Sequence, residues 1–280
     1  MGVTDAKAES REFNFTWAHF EHLRKLSMSQ TGIQVPDIKQ EMFYARLSKR
    51  VRALHLQNFD QYIRYLEDNW DTEGTPFINA LTTNLTSFFR ENHHFTFLKK
   101  TVVAAAQQKK QRVIKIWSAG CSTGEEPYSI AMTMMEACSG TGVEWELTAT
   151  DLDTDVLARA QRGVYALDRI EGIDQDKKKR FFMKGTGPRA GYVRVKDELR
   201  NKIQFRQLNL IKPIDMGDRY DVIFCRNVVI YFDRDTKVKL VEQFARHLQP
   251  KAYLIMGHSE SLHGISSAFE GLGNTIYQLN

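Results

Sequence analysis

The chain has 280 residues, of which 42% are hydrophobic and 26% charged, with a formal net charge of +5 at pH 7. No apolar run approaches the roughly 18 residues of a membrane-spanning helix, and the charged N-terminal stretch lacks the apolar segment of a secretory signal, so we expect neither. The mild positive charge favours an acidic or polyanionic partner without identifying one.

The cysteines and histidines show no metal or disulfide pattern. Cys121, Cys138 and Cys225 have no paired spacing, which predicts a reduced, cytoplasmic protein. His93 and His94 are adjacent, and no third ligand is spaced nearby, so we predict no metal site. Residues 1–12 are expected to be disordered.

A helical region is predicted from residue 13 to about residue 98. An apolar stripe from Phe20 to Leu26 marks the first helix, which Gly32 ends, and Pro36 begins a second helix. A third helix is expected to end near Gly74–Thr75–Pro76.

The second predicted helix is strongly basic. Within Ile38–Leu56, five lysines and arginines stand against the single acid Glu41. The five are Lys39, Arg46, Lys49, Arg50 and Arg52. This face is either solvated or a docking surface for an acidic partner such as a glutamate-rich helix or nucleic acid.

A polar segment, LTTNLTSFFRE, follows at residues 81–91. Its hydroxyl and amide side chains either cap helices or line a cleft beside the region that follows. Residues 99–111 are predicted to continue a helix and to link the two parts of the chain.

From Arg112 onward, strands and helices alternate, which predicts a parallel sheet. The stretch RVIKIWSAGCSTGEEPY (112–128) indicates a strand, a glycine loop and a helix start, with which α/β domains bind nucleotide-like cofactors. Glu125 and Glu126 would repel a phosphate there and suit a cationic group, so S-adenosylmethionine fits better than NAD. The loop does not match G-x-G-x-x-G, and glycine loops often only turn the chain.

Polar side chains also follow other predicted strands. Asp151 ends the strand Glu144–Thr150, where an acid can accept both hydroxyls of a ribose. Either Asp151 or Asp153 could cap the next helix, and we assign the cap to Asp153. Asn209 and Arg226–Asn227 follow two further strands, so these positions should converge at the carboxyl edge of the sheet.

The stretch 165–206 departs from simple alternation. Strand-like pieces at Phe181–Met183 and Tyr192–Val195 flank the loop GTGPRAG and predict an inserted hairpin. This hairpin is either a solvent-facing decoration or an exposed edge that accepts a peptide as an added strand.

Six motifs resemble those of the chemotaxis receptor methyltransferase family, CheR, and the match runs in order from about residue 15 to the end. They are NLTSFFRE, SAGCSTGEEPYSIA, ATDLDTDVL, FRQLNL, FCRNVVIYFD and GHSES. The resemblance implies an α/β fold: a Rossmann-like class I methyltransferase sheet with an inserted small antiparallel β-subdomain, preceded by an all-α N-terminal domain. It implies a helical domain at 13–80, a linker with active-site residues at 81–111, and a methyltransferase domain at 112–280 with its β-subdomain at about 170–205.

The resemblance also implies methyl transfer from S-adenosylmethionine to glutamates of chemoreceptors, which yields glutamyl methyl esters and S-adenosylhomocysteine. Arg90 and Tyr231 are the implied catalytic residues. The implied cofactor-binding residues are Asn84, Thr86, Arg90, Glu125, Glu126, Asp151, Asn209, Leu210, Cys225, Arg226 and Asn227.

The implied partner is the cytoplasmic, methylation-helix region of a chemoreceptor. The residues implied to dock it are Lys39, Arg46, Lys49 and Arg50, together with Gly185, Gly187 and Gly191 of the hairpin loop, which would meet a receptor C-terminal pentapeptide. We expect a cytoplasmic monomer without a nucleic-acid partner, membrane insertion or a metal.

Two other functions stay open. The basic charge would suit a nucleic-acid methyltransferase, although no catalytic cysteine motif or base-stacking aromatic motif stands out near the glycine loop. A signalling adaptor that binds the cofactor without turnover is disfavoured by the presence of Arg90 and Tyr231.

Overall fold

The computed structural model describes residues 11–280, so all but the last two residues of the predicted disordered segment lie outside the described part. Those two, Arg11 and Glu12, form ion pairs with Glu41 and Arg52. The chain divides into two compact units, the first ending at Thr83 and the second spanning Asn84–Asn280. None of the helices within residues 11–280 is long and apolar enough to cross a membrane.

The first unit is helical over its described residues. Its helices are α1 Trp17–Thr31, α2 Gln40–Ala53, α3 Phe59–Asp68 and α4 Trp70–Leu81. Thr16 caps the start of α1, and Gly32, in the left-handed region at φ 69°, ends it as the sequence predicts. The apolar stripes of all four helices meet in one core, which contains Phe20, Leu23, Phe43, Leu47, Val51, Phe59, Tyr62, Leu66, Phe77 and Leu81.

The predicted stop at Gly74–Pro76 is wrong, because α4 runs through it. The break comes earlier, at Asn69, between α3 and α4. Gly74 allows a close approach, since a Cβ there would lie 2.7 Å from Cε2 of Trp70. Burial of Phe77 and the rest of the apolar face outweighs the local cost of a proline inside the helix.

The second unit alternates strands and helices. Its strands are β1 Val113–Ala119, β2 Glu144–Asp151, β3 Val164–Ala166, β4 Phe182–Lys184, β5 Tyr192–Val195, β6 Ile203–Gln207, β7 Tyr220–Cys225, β8 Leu248–Met256, β9 Phe269–Gly273 and β10 Ile276–Leu279. Its helices are α5 His93–Phe97, α6 Ala104–Gln108, α7 Glu125–Ala137, α8 Thr154–Arg162, α9 Gln175–Phe181, α10 Asp197–Arg200 and α11 Arg234–His247.

A seven-stranded sheet of order β6-β2-β1-β7-β8-β10-β9 forms the centre of this unit. The strands from β6 to β8 are parallel, and β10 and β9 run antiparallel. The chain builds outward from β1 through β2 to β6, then crosses to β7 on the other side of β1. This reversal is the switch point at which open α/β sheets hold ligands beyond their strand ends. The predicted α/β architecture is confirmed; β9 was not predicted.

A separate three-stranded antiparallel sheet of order β3-β5-β4 confirms the inserted β-subdomain. The hairpin of β4 and β5 was predicted, whereas β3 was missed. A strand of three residues carries too little periodicity to be recognised, and only its pairing with β5 defines it.

Residues 93–108, which include most of the predicted link 99–111, form a continuous helical stretch in which a π-helical segment, Leu98–Val103, joins α5 to α6. Leu98, Val102 and Ala106 are buried in the same core as strands β1 and β7. This stretch is therefore part of the hydrophobic core of the second unit.

Candidate active site at the carboxyl edge of the sheet

The glycine loop between β1 and α7 is held by close contacts that only glycine permits. Gly120 and Gly124 have φ values of 85° and 100°, in the left-handed region. A Cβ on Gly120 would lie 2.4 Å from Cγ2 of Val228, and one on Gly124 would lie 2.8 Å from the hydroxyl of Tyr165. The backbone N–H of Gly120 also donates to the carbonyl of Thr150 at 2.8 Å, which ties the loop to β2.

Asp151 stands at the end of β2 beside this loop. Its Oδ2 accepts the backbone N–H of Ser122 at 2.8 Å, and its Oδ1 accepts that of Asp153 at 3.0 Å. Burial raises the pKa of Asp151 to about 6. A carboxylate has about four acceptor positions, so capacity for ligand hydroxyls remains.

The helix cap belongs to Asp153, as predicted. Its Oδ1 accepts the backbone N–H groups of Asp155 and Val156, at 2.9 and 3.2 Å, at the start of α8. Its Oδ2 accepts a hydrogen bond from Nδ2 of Asn84 at 3.0 Å. Asp153 therefore connects the polar segment 81–91 to the site.

The two acids at the start of α7 both have protein cations as partners. Glu125 is 1% exposed and is paired with Arg169, and Oγ1 of Thr123 donates to it at 2.6 Å. Glu126 accepts from Nη1 of Arg226 at 3.1 Å. Because each carboxylate is compensated, these acids select a cationic cofactor less strongly than the sequence indicates.

Glu126 belongs to a hydrogen-bonded network at the strand ends. Ser118 of β1 donates its hydroxyl to Glu126 at 2.7 Å. Burial raises the pKa of Glu126, and the charge of Arg226 opposes that shift. Arg226 is itself 2% exposed, and it also donates to the backbone carbonyl of Arg90. The Glu126–Arg226 pair thus joins the glycine loop to the segment that carries Arg90.

Arg90 lies in a strained turn. The residues on either side, Phe89 and Glu91, have φ values of 53° and 55°, a conformation that costs non-glycine residues on the order of 1–3 kcal/mol each. The backbone N–H of Phe89 donates to Oγ of Ser129 at 2.9 Å, which holds the turn against α7. The Arg90 side chain is 31% exposed, so it is accessible to a ligand.

Glu91 is a site residue that the sequence analysis missed. Its Oε2 lies 3.6 Å from Nη2 of Arg226, and its Oε1 lies 3.2 Å from Nδ1 of His258. Burial would raise the pKa of Glu91, but Arg226 and His258 outweigh it and lower the pKa. The expectation that no third ligand lies near His93 and His94 is wrong, because ligand-type atoms of Glu91, His93 and His94 lie within 4.8 Å of one another. The adjacent guanidinium of Arg226 nevertheless opposes a metal cation there.

Glu260 was also missed, and it organises the loop after β7. It is 3% exposed, and its carboxylate accepts the backbone N–H groups of Asn227 and Gly257, each at 2.7 Å, and of Ile230 at 3.3 Å. Asn227 has a φ of 60°, so the carboxylate stabilises a left-handed turn. The sequence signal that could have identified Glu260 is its position in the GHSES motif. The half-buried Tyr231 ends the short helical turn that follows.

Except for Thr86, the remaining predicted cofactor residues also lie at strand ends. Cys225 is fully buried at the end of β7, where burial raises the pKa of its thiol. Asn209 and the buried Leu210 follow β6, beside Asp151, whose carbonyl accepts the backbone N–H of Leu208 at 2.9 Å. Thr86 contributes its carbonyl to Nη2 of Arg169 at 2.7 Å.

The predicted docking arginines of α2 have structural partners within the first unit. Arg46 donates through Nη1 to the carbonyls of Leu81 and Thr82 at 3.0 and 2.7 Å, closing the end of α4. Arg50 donates to the buried Glu73 at 2.8 and 2.6 Å. Lys39 and Lys49, in contrast, are exposed.

The hairpin-loop glycines meet the needs of a tight turn. Gly187 and Gly191 have φ values of 56° and 89°, and a Cβ on Gly185 would lie 2.1 Å from the carbonyl oxygen of Arg189. The structure thus gives these glycines a backbone role, independent of any docked peptide.

The residues at this edge fit an adenosine-containing cofactor. Asp151 retains acceptor capacity for a ribose diol, and Gly120 lets the loop backbone come close to the neighbouring turn. Asn209 and Leu210 lie next to Asp151, where a polar amide and a buried apolar side chain suit a purine ring.

Comparison with known proteins identifies the family of the chain. Residues 84–278 match the family model "CheR methyltransferase, SAM binding domain", and residues 18–82 match "CheR methyltransferase, all-alpha domain". Chemotaxis protein methyltransferase 2 of Pseudomonas aeruginosa is 44% identical over 96% of this chain and 95% of its own. The chemotaxis protein methyltransferase of Salmonella typhimurium is 42% identical over 94% of this chain and 90% of its own. The chain therefore belongs to the CheR methyltransferase family and binds S-adenosylmethionine.

Proposed function

We propose that the protein methylates glutamate side-chain carboxylates of chemoreceptors, forming glutamyl methyl esters in chemotactic adaptation. Relatives named chemotaxis protein methyltransferases, matched over nearly the whole chain, support the biological setting. The observation that carries the chemistry is the strained turn that presents Arg90 next to the Glu126–Arg226 pair. A cation held beside the cofactor loop suits an anionic acceptor.

The acceptor needs no general base. A glutamate carboxylate has a reference pKa of about 4.3 and is already ionised near pH 7. S-adenosylmethionine, when bound, supplies an electrophilic methyl group on a sulfonium. The work left to the chain is to align the carboxylate and to keep water away from it.

We assign the alignment to Arg90 and Tyr231. Arg90 donates one bond, from Nη1 to the carbonyl of Leu85 at 3.1 Å, and a guanidinium has five N–H donors in all. The remaining donors can orient a carboxylate through two parallel bonds. Tyr231 would donate its hydroxyl to the same group. Neither residue should bind the carboxylate too tightly, because stabilising the ground state slows transfer.

Receptor docking and location are parts of the same proposal. Lys39 and Lys49, together with the β-subdomain, would meet the methylation helices and a C-terminal pentapeptide of the receptor. The protein would act as a cytoplasmic monomer.

The deciding experiment is incubation with methyl-labelled S-adenosylmethionine and receptor-containing membranes. Alkali-labile label on receptor glutamates is the expected result. The proposal is refuted if no label appears on protein, or if the label appears on added RNA instead. Cofactor binding without any transfer would favour the signalling adaptor.

Replacing Asp151 with alanine is expected to weaken cofactor binding roughly thirtyfold, or about 2 kcal/mol, because the ribose acceptor is lost and two backbone donors are left without their partner. Calorimetric titration with S-adenosylhomocysteine measures the change. The exposed Asp155 on α8 provides the matched control, Asp155→Ala, which should leave the Kd unchanged. An unchanged Kd for Asp151→Ala would overturn the ribose assignment.

Cofactor binding should weaken in acid. The pKa of Asp151 is raised to about 6, so protonation below pH 6 removes acceptor capacity that the ionised form provides at pH 7. We expect the Kd to rise about tenfold between pH 7 and pH 5, since one pKa unit corresponds to about 1.4 kcal/mol. The near-isosteric Asp151→Asn variant should bind weakly at both pH values. A pH dependence that survives in this variant would assign the effect to another group.

A further inference from the structure

A cavity of about 330 Å³ opens beside the glycine loop, within the second unit. Its lining joins the site to the β-subdomain, because Thr123 belongs to the loop and Val164 to β3. The complete lining is Asn84, Thr123, Glu125, Arg159, Arg162, Val164, Tyr165, Ala166 and Arg169. We call this cavity the arginine cleft.

The side chains that line the arginine cleft carry a net positive charge, which the other residues between 11 and 280 do not neutralise. Of its three arginines, Arg169 is paired with Glu125, the only acid of the lining. Arg159 and Arg162 are exposed, and neither forms an ion pair with any residue between 11 and 280.

The two uncompensated arginines lie close together. They stand at i and i+3 in the last turns of α8, a spacing that puts both side chains on one face of the helix. Like charges at this spacing repel each other, and the helix C-terminus offsets part of that cost. An anion bound between them would offset the remainder.

The arginine cleft also contacts the segment that presents Arg90. Arg169 donates to the carbonyl of Thr86, in the same segment, while holding Glu125 at the start of α7. Asn84, another lining residue, bonds to the cap residue Asp153. A group bound here would therefore lie next to the site at which a substrate glutamate reacts.

We propose that the arginine cleft binds carboxylate side chains of the substrate protein that neighbour the glutamate being methylated. This inference rests on the proposed function. Arginine forks match carboxylates through paired hydrogen bonds, and the exposed Val164, at 46%, offers an apolar surface for the methylene stem of a glutamate. The cleft then selects glutamates that lie in acidic surroundings.

The test is a steady-state assay on receptor-containing membranes with the double variant Arg159→Ala, Arg162→Ala. We expect the KM for receptor to rise about tenfold, with kcat within twofold and the Kd for S-adenosylhomocysteine unchanged. Both side chains are exposed, so folding should be preserved. The control is Arg219→Ala, Arg246→Ala, which removes the same charge from exposed positions outside the cleft and should leave the KM unchanged.

Competition experiments identify the chemical group that binds in the arginine cleft. Poly-L-glutamate should inhibit methylation by the wild-type chain several times more strongly than methylation by the cleft variant. A KM that is unchanged in the cleft variant, or raised equally in the control, overturns the inference. If the wild-type chain still labels glutamates, the proposed function is unaffected by that result. A different result would be that tripolyphosphate acts more strongly on the wild-type chain than on the cleft variant, while poly-L-glutamate acts equally on both. That result would make the cleft a phosphate site and would also overturn the inference. Absence of wild-type labelling refutes the proposed function itself.

Discussion

The Arg90→Ala variant should transfer methyl groups about a hundredfold more slowly than the wild-type chain, while its Kd for the cofactor changes less than about threefold. Arg90 is presented between two left-handed residues, and its backbone carbonyl is held by the buried Arg226, so the loss is confined to the side chain. The guanidinium fork of Arg90 raises the rate because it holds the acceptor carboxylate in the geometry that methyl transfer requires.

Single-turnover rates measured with saturating receptor, together with calorimetry for the cofactor, separate the two effects. The Arg90→Lys variant keeps the charge but loses the fork, and we expect it to recover only part of the rate. Equal losses of rate and cofactor affinity would instead make Arg90 a cofactor ligand. The resemblance assigns Arg90 to both roles, so this measurement decides between them.

The Glu73→Gln variant should destabilise the first unit by about 3 kcal/mol. Glu73 is 3% exposed, accepts two bonds from Arg50, and accepts a third from the hydroxyl of Tyr62 at 3.1 Å. Removing one partner of a buried pair leaves the other charge uncompensated, which costs about 3–5 kcal/mol. The Arg50 side chain is 27% exposed, so water offsets part of this cost and the lower end of the range applies.

Hydrogen–deuterium exchange of the α4 backbone amides reports this change within the first unit. The double variant Arg50→Met, Glu73→Leu removes both charges and should recover most of the lost protection. A loss below about 1 kcal/mol in Glu73→Gln would mean that the pair is solvated and contributes little. The outcome also bears on receptor docking, because a substitution of Arg50 perturbs α4 whether or not it touches a partner.

Local sequence patterns were sufficient to predict many of the helices and strands of the second unit. The predicted strand Glu144–Thr150 matches β2 to within one residue, and the predicted cap Asp153 stands directly before helix α8. Buried strands are continuous apolar runs, and Asp153 and Gly163 are end signals that act within a few residues. Such features depend on neighbours along the chain, so a single sequence contains them.

The convergence of polar residues at one sheet edge also followed from the sequence. Alternating strands and helices predict a parallel sheet, and the carboxyl ends of parallel strands share an edge. Asp151, Asn209 and Arg226 lie at that edge in the structure. Their individual roles toward cofactor and substrate stay predictions, which the variants above test.

What only the tertiary structure decided is the partner of each charge. Arg226 contacts the carbonyl of Arg90 across 136 positions of the chain, and Arg50 meets Glu73 across 23. Spacing carries no information about such pairs, because a long flexible side chain finds its partner only after the helices and strands have packed. The sequence by itself therefore determined most elements of the second unit, the parallel arrangement of its sheet and the edge at which the polar residues converge. Packing alone decided that Glu125 and Glu126 are compensated acids, and that two arginines of the adjacent cleft form no ion pair with any residue between 11 and 280.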